Sequence, residues 1–127
     1  MHITTHQAID RELCGHPADL ADGYSKVELT TTDRMAADDQ GLVHGGFVFG
    51  LADYAAMLAV NDPHVVLGGA EVTFTRPVRS GETLTAEAVV ESVEKKKHMV
   101  TVAVRRGETD VLLGRFTCFV LARHVLA

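Results

Sequence analysis

Residues Gly41 to Ala56 read GLVHGGFVFGLADYAA, and the apolar run continues to Val60 before Asn61-Asp62-Pro63 stops it. From Phe47 to Val60 nearly every position is Phe, Leu, Ala, Met or Val. A helix of that composition has no one-sided apolar stripe and is expected to be enclosed on most sides. Val48, Ala52, Ala55 and Ala59 line up as a face suited to close approach. The run between Asp39 and Asp62 is long enough for a bilayer. Its glycines, its histidine and the central Asp53 oppose that reading, because each intramembrane charge costs at least ~2.5 kcal/mol. The segment is therefore expected to be a helix buried in a soluble domain.

Outward from this helix the pattern changes to strands. Tyr24 to Thr32 alternates, with Val27 and Leu29 on one face and Lys26, Glu28 and Thr30 on the other, the period of a half-buried strand. Val65 to Arg76, Glu82 to Glu94, Lys97 to Arg106 and Val111 to Arg123 read as four more, separated by Pro77 with Ser80-Gly81, by Glu94 to Lys97 and by Arg106-Gly107-Glu108. Met1 to Cys14 reads as an amphipathic helix through Ala8, Ile9 and Leu13, ending at Gly15 and Pro17. The expectation is a single two-layer α+β domain over 1–127, a five-stranded antiparallel meander curling around one helix. So small a sheet leaves part of the helix and a sheet edge uncovered, and a second copy of the chain would cover them.

Composition limits the function. The 127 residues are 46% hydrophobic and 23% charged, enough for one domain that buries about two thirds of its unfolded surface. Twelve Lys and Arg against 17 Asp and Glu leave a net charge of −5, so nothing draws the chain toward nucleic acid or an anionic membrane. Cys14 and Cys118 fall in no CxxC or Cys/His spacing, so neither a disulfide framework nor a metal site is indicated and a reducing, cytoplasmic setting fits. Met1 to Gly15 has no positively charged start before an apolar core and does not read as a signal peptide.

The chemistry concentrates in the central segment. Gly45 and Gly46 stand where the helix begins, and two glycines there point to a need for bare backbone. The first helical turn has free N–H groups and partial positive charge, which suit a polarised carbonyl or an oxyanion. The same glycines would also let a loop or strand pass close to the helix start. Asp53 has Leu51, Ala52, Tyr54 and Ala55 as neighbours, and a carboxylate in such surroundings is a candidate nucleophile or general base. The alternative is a structural carboxylate that caps a loop or pairs with an arginine across a subunit contact. Gly46 and Asp53 lie within about 20° of one helix face but ~10 Å apart along the axis, too far for one ester-sized centre to touch both. Two central helices packed antiparallel about a two-fold axis would bring Gly46 of one chain near Asp53 of the other, giving two shared sites per dimer.

HGG at 44–46 followed by FxxxLAD at 47–53, then EVTFTRP at 71–77 and GETL at 81–84, resembles the hotdog-fold acyl-CoA thioesterases of the phenylacetate-degradation type. The resemblance extends from Tyr24 to Leu121. It implies a hotdog fold, a homodimer or a tetramer of two dimers, an acyl-CoA substrate, and no cofactor beyond the coenzyme A of the substrate. The position of Asp53 then supplies the nucleophile or the general base that activates water. The position of Gly45 supplies the N–H that polarises the thioester carbonyl, with His44 and Gly46 shaping the turn. Where related thioesterases often carry an Asn six residues before the histidine, this chain has Asp38, followed by Asp39 and Gln40. An Asp38 sharing the site with Asp53 would raise the pKa of one of them; alternatively Gln40 takes the amide role.

Further candidates for substrate contact are Phe47, Tyr54, Glu71 and Thr73, together with Phe49, Met57 and Met35; Glu71 faces either the site beside Thr73 or solvent. Lys95 to Lys97, Arg76, Arg79 and Arg123 are candidate partners for the phosphates of coenzyme A. His2 and His6 are four apart but are expected to be exposed at a frayed terminus. No GxSxG elbow or phosphate-binding loop occurs. Two other functions compete with hydrolysis: a noncatalytic acyl-CoA-binding module, and a hotdog dehydratase or hydratase acting on 3-hydroxyacyl or enoyl thioesters. The HFPxxPxxPG-like segment of the dehydratases is absent.

Overall fold

The computed structural model describes residues 1–127. The glycine-flanked apolar segment forms helix α2, Gly45–Val60, two residues longer at its start than the apolar run predicts. His44 is its N-cap with extended backbone, and Asn61 ends it in the left-handed region at φ 52°. Asn tolerates that conformation, and its N–H closes the last turn on the Met57 carbonyl at 2.8 Å. Val48, Leu51, Ala52 and every residue from Tyr54 to Ala59 are buried, as a helix apolar on most sides requires.

Six strands surround it: β1 His16–Ala21, β2 Tyr24–Thr30, β3 Val65–Phe74, β4 Thr83–Glu94, β5 Lys97–Arg106 and β6 Thr109–Val120. They form one antiparallel sheet in the order β1-β2-β4-β5-β6-β3. Helix α2 touches all six, so the sheet curls around it. The alternation in the sequence becomes the inner face: Ala86 pairs with Val104, Ala88 with Val102 and Val90 with Val100, and on the next strand Phe116 lies opposite Val100. A buried polar group on that face is satisfied, the Ser25 hydroxyl donating to the Ala55 carbonyl at 2.6 Å.

Three expectations are corrected. The sheet has six strands, because His16–Ala21 pairs with β2 around Asp22-Gly23. Its sequence, HPADLA, shows no apolar alternation because the strand lies at an edge and is mostly exposed; Pro17 is tolerated there. The meander holds only for β4 to β6. Strand β3, which follows α2, lies at the far edge beside β6, while β2 pairs with β4. Finally, the expected helix over Met1–Cys14 shrinks to α1, Arg11–Cys14, capped by the Asp10 carboxylate. The preceding residues form a strap bound to the end of α2: Thr4 donates from N–H to Asn61 Oδ1 and from its hydroxyl to the Asn61 carbonyl, and Asn61 Nδ2 donates to the His2 carbonyl. These long-range bonds replace the local ones a helix would have made.

Gly15 joins α1 to β1 at φ 110°, and a Cβ there would lie 2.7 Å from Val27 Cγ1 and 3.1 Å from the Glu28 carbonyl oxygen. Gly15→Ala should therefore destabilise the fold by about 3 kcal/mol through backbone strain and overpacking, and lower the melting temperature by about 10 °C. An unchanged urea midpoint would contradict this account of the junction.

Candidate active site

The turn before α2 is held from both sides. The Val43 N–H donates to the Val78 carbonyl at 2.8 Å and the His44 N–H to the Met35 carbonyl at 2.9 Å. The His44 ring is not used as a cap; it meets Phe47 edge-on with centroids 6.2 Å apart. The N–H groups of Gly45 and Gly46 take no acceptor from the preceding turn or from a capping side chain. A Cβ on Gly45 would stand 3.3 Å from Phe74 Cε1, and one on Gly46 would stand 3.0 Å from the His44 ring. Glycine at 45 thus keeps the β3 aromatic close to the helix start. Gly45, Val48, Phe74 and Arg76 line an open cavity of about 310 Å³, with Phe74 half exposed.

Asp53 lies two turns further along α2. Its Oδ1 is buried and has no hydrogen-bond partner. Burial pushes its carboxyl up to about 6. It opens into a separate cavity of about 420 Å³, together with Thr5, His6, Met57, His64, Leu67 and His124. Gly45 at the start of the helix and Asp53 at its middle therefore belong to two cavities of one chain, about 12 Å apart along the axis.

Asp38 and Gln40 occupy neither cavity. The Asp38 carboxylate accepts from the N–H groups of Gln40 and Leu42 at 2.9 and 3.1 Å, closing the loop on itself. Both residues line a third cavity, of about 460 Å³, with Arg79, Glu82 and Arg106. Burial alone raises the Asp53 carboxyl, without a contribution from Asp38.

Tyr54 is 1% exposed, so its ring is part of the core, and its buried hydroxyl lacks a partner. Phe47 and Phe49 are half buried against that core. Glu71 and Thr73 pair with Arg115 and Leu113 on β6, residues that alternate with the inward Phe116 and Leu112. Glu71 and Thr73 thus sit on the outer face of the sheet, exposed, in a broad groove with Tyr24, Glu87 and Arg105. Lys95 and Lys96 form the exposed β4–β5 turn and Lys97 opens β5.

His6 differs from its expectation. It is half buried beside Tyr54, ring centroids 6.4 Å apart, in the same cavity as Asp53. The sequence held no signal for this, because the strap that carries it is fixed by contacts to Asn61, far along the chain.

Residues 40–113, more than half of the chain and including the whole of α2, match the sequence model of the thioesterase superfamily. The chain belongs to the thioesterase superfamily. A methylthioribose-1-phosphate isomerase of Aquifex aeolicus is 50% identical over 116 residues, 91% of this chain but only 25% of that protein. The acyl-coenzyme A thioesterase PaaI of Escherichia coli is 32% identical over 110 residues, 77% of this chain and 78% of that protein. The transcription factor FapR of Bacillus subtilis is 34% identical over 80 residues, 61% of this chain and 43% of that protein. The crystal structure of the uncharacterized protein PH1136 from Pyrococcus horikoshii superposes with a TM-score of 0.99 at 54% identity, over 100% of this chain and 98% of that one. The α+β hotdog architecture is thus common to this chain and to solved members of the superfamily, PaaI among them. No helix is long and apolar enough to cross a membrane.

Proposed function

We propose that the chain hydrolyses an acyl-CoA thioester to the free acid and coenzyme A, at a site shared between two subunits. The observation that carries this reading is the Asp53 carboxylate in the wall of a cavity, with one oxygen buried and no hydrogen-bond partner for it. A buried carboxylate without a partner costs stability, and a carboxyl raised to about 6 is ionised at neutral pH yet still basic enough to accept a proton from water. The free N–H groups of Gly45 and Gly46 supply the complementary function, donors for the thioester oxygen as it gains charge. The two functions stand too far apart on one helix to meet at one carbonyl. A two-fold dimer with antiparallel central helices joins Gly45 of one subunit to Asp53 of its partner, and the open edge of β3 is the side from which a second copy would cover α2.

In the reaction, water adds to the thioester carbon while its proton passes to Asp53; the C–S bond then breaks and the thiolate takes that proton. Direct attack by Asp53, with an anhydride hydrolysed afterwards, uses the same residues. Neither route requires a metal or organic cofactor.

The test is free-thiol release from a panel of short, medium, long and aryl acyl-CoAs. Release would establish hydrolysis and rank the acyl groups. The similarity to the transcription factor FapR favours one second reading, an acyl-CoA-binding module. Silence across the panel with acyl-CoA binding retained would select it.

A further inference from the structure

Asp53 does not face its cavity alone. His6 reaches the same space from the strap, which Asn61 holds at Thr4 and His2. Its backbone sits at φ 52°, a left-handed conformation uncommon for residues other than glycine and, where it occurs, a place to look for function. Its Nδ1 is hydrogen-bonded to the hydroxyl of the buried Thr5 at 2.7 Å, which orients the ring and leaves Nε2 without a protein partner. Burial pushes the imidazole pKa down, so the ring is neutral at neutral pH. Of the other histidines lining the cavity, His124 is exposed and accepts the Leu126 N–H on its Nδ1 at 3.0 Å, and His64 has no side-chain bond to orient it.

We propose that His6 is a second catalytic residue, its Nε2 and the Asp53 carboxylate holding the attacking water between them. The proposal rests on the hydrolase reading above. His6 Nε2 and the Asp53 carboxylate have no protein partners, belong to residues lining one cavity and make no direct bond to each other, the arrangement a bridging water satisfies. With the Thr5 hydroxyl donating to Nδ1, Nε2–H donates to one lone pair of the water, and the water donates to Asp53. Its other lone pair attacks the carbonyl carbon. Asp53 takes the proton and later passes it to the departing thiolate, so His6 ends the cycle with the protons it began with.

The experiment compares His6→Ala, His6→Gln, Thr5→Val and Asp53→Asn with the parent, measuring kcat and KM for the best acyl-CoA of the panel and the melting temperature of each. His6→Ala should lower kcat about tenfold, the scale of one lost hydrogen bond, with KM little changed. Gln, whose amide nitrogen can reach the Nε2 position, should recover part of the loss, and Thr5→Val should produce a smaller one. Parental kcat in His6→Ala beside an inactive Asp53→Asn would overturn the role of His6 and leave hydrolysis standing. Parental kcat in Asp53→Asn, or a parent that releases no thiol, would remove the underlying reading instead. Should His6→Ala melt early, the Gln and Val variants decide: parental kcat in both overturns the proposal.

Discussion

Asp53→Asn should turn over acyl-CoA about 10²–10⁴ times more slowly than the parent and yet fold more stably at neutral pH. The amide matches the carboxylate in shape but accepts no proton from water, so substrate binding should persist while release of thiol collapses. The stability change follows from linkage. Burial holds the Asp53 carboxyl at about 6 in the folded chain, above its value in the unfolded one, so between these two values the native state binds more protons than the unfolded state. Stability is then greatest at acid pH and falls as pH rises through about 6. Removing the charge removes that loss, worth about 2–3 kcal/mol once both states are ionised. Urea unfolding of the two proteins should give similar stabilities near pH 4 and a more stable Asn variant at pH 8. The parental kcat/KM should rise with pH through about 6 as Asp53 ionises. A variant less stable than the parent at pH 8 would mean that the carboxylate has a partner in the assembled protein.

Gly45→Pro is the second large effect. Gly45 is the first residue of α2, the helical position where proline is well accommodated, because its missing N–H leaves no helical bond unmade. The extended backbone of His44 (φ −62°, ψ 131°) is the conformation a following proline favours. The substitution thus deletes one donor and spares the helix, although Phe74, 3.3 Å from the position of a Cβ, must yield slightly. Loss of one oxyanion donor should lower kcat about 10²–10³-fold. Mixing decides whether the site is shared. Subunits carrying Asp53→Asn and subunits carrying Gly45→Pro, unfolded together and refolded in equal amounts, form mixed dimers in half of the cases. Each mixed dimer has one site with both an intact Asp53 and an intact Gly45, so activity should return to about a quarter of the parental value. No recovery would place both residues in one subunit's site.

Much of the architecture was legible because it is periodic. The alternation of Leu84, Ala86 and Ala88, and of Val100, Val102 and Val104, is the inner face of β4 and β5, since side chains of a strand alternate between faces whatever the rest of the chain does. The all-round apolar run of α2 likewise required enclosure. Strand β1 was not legible, because an exposed edge strand is held by backbone bonds to its neighbour and places no demand on its side chains. Glu71 was ambiguous for a related reason. On a strand the face is set by register, and only the pairing of β3 with β6 turned it away from the helix.

The residues with chemistry divide the same way. Glycines at a helix start and a carboxylate inside an apolar run are local contradictions, costly in any fold, and so the sequence by itself determined that His44 to Gly46 and Asp53 call for an explanation beyond packing. The tertiary structure decided what surrounds them: that Asp38 satisfies its own loop, that Asp53 and Gly45 open into different cavities, and that His6 comes in beside Asp53. Those facts depend on contacts between residues distant along the chain, such as Thr4 with Asn61. Local pattern records the cost of an unusual residue, whereas its neighbours in space are set by the packing of the whole domain.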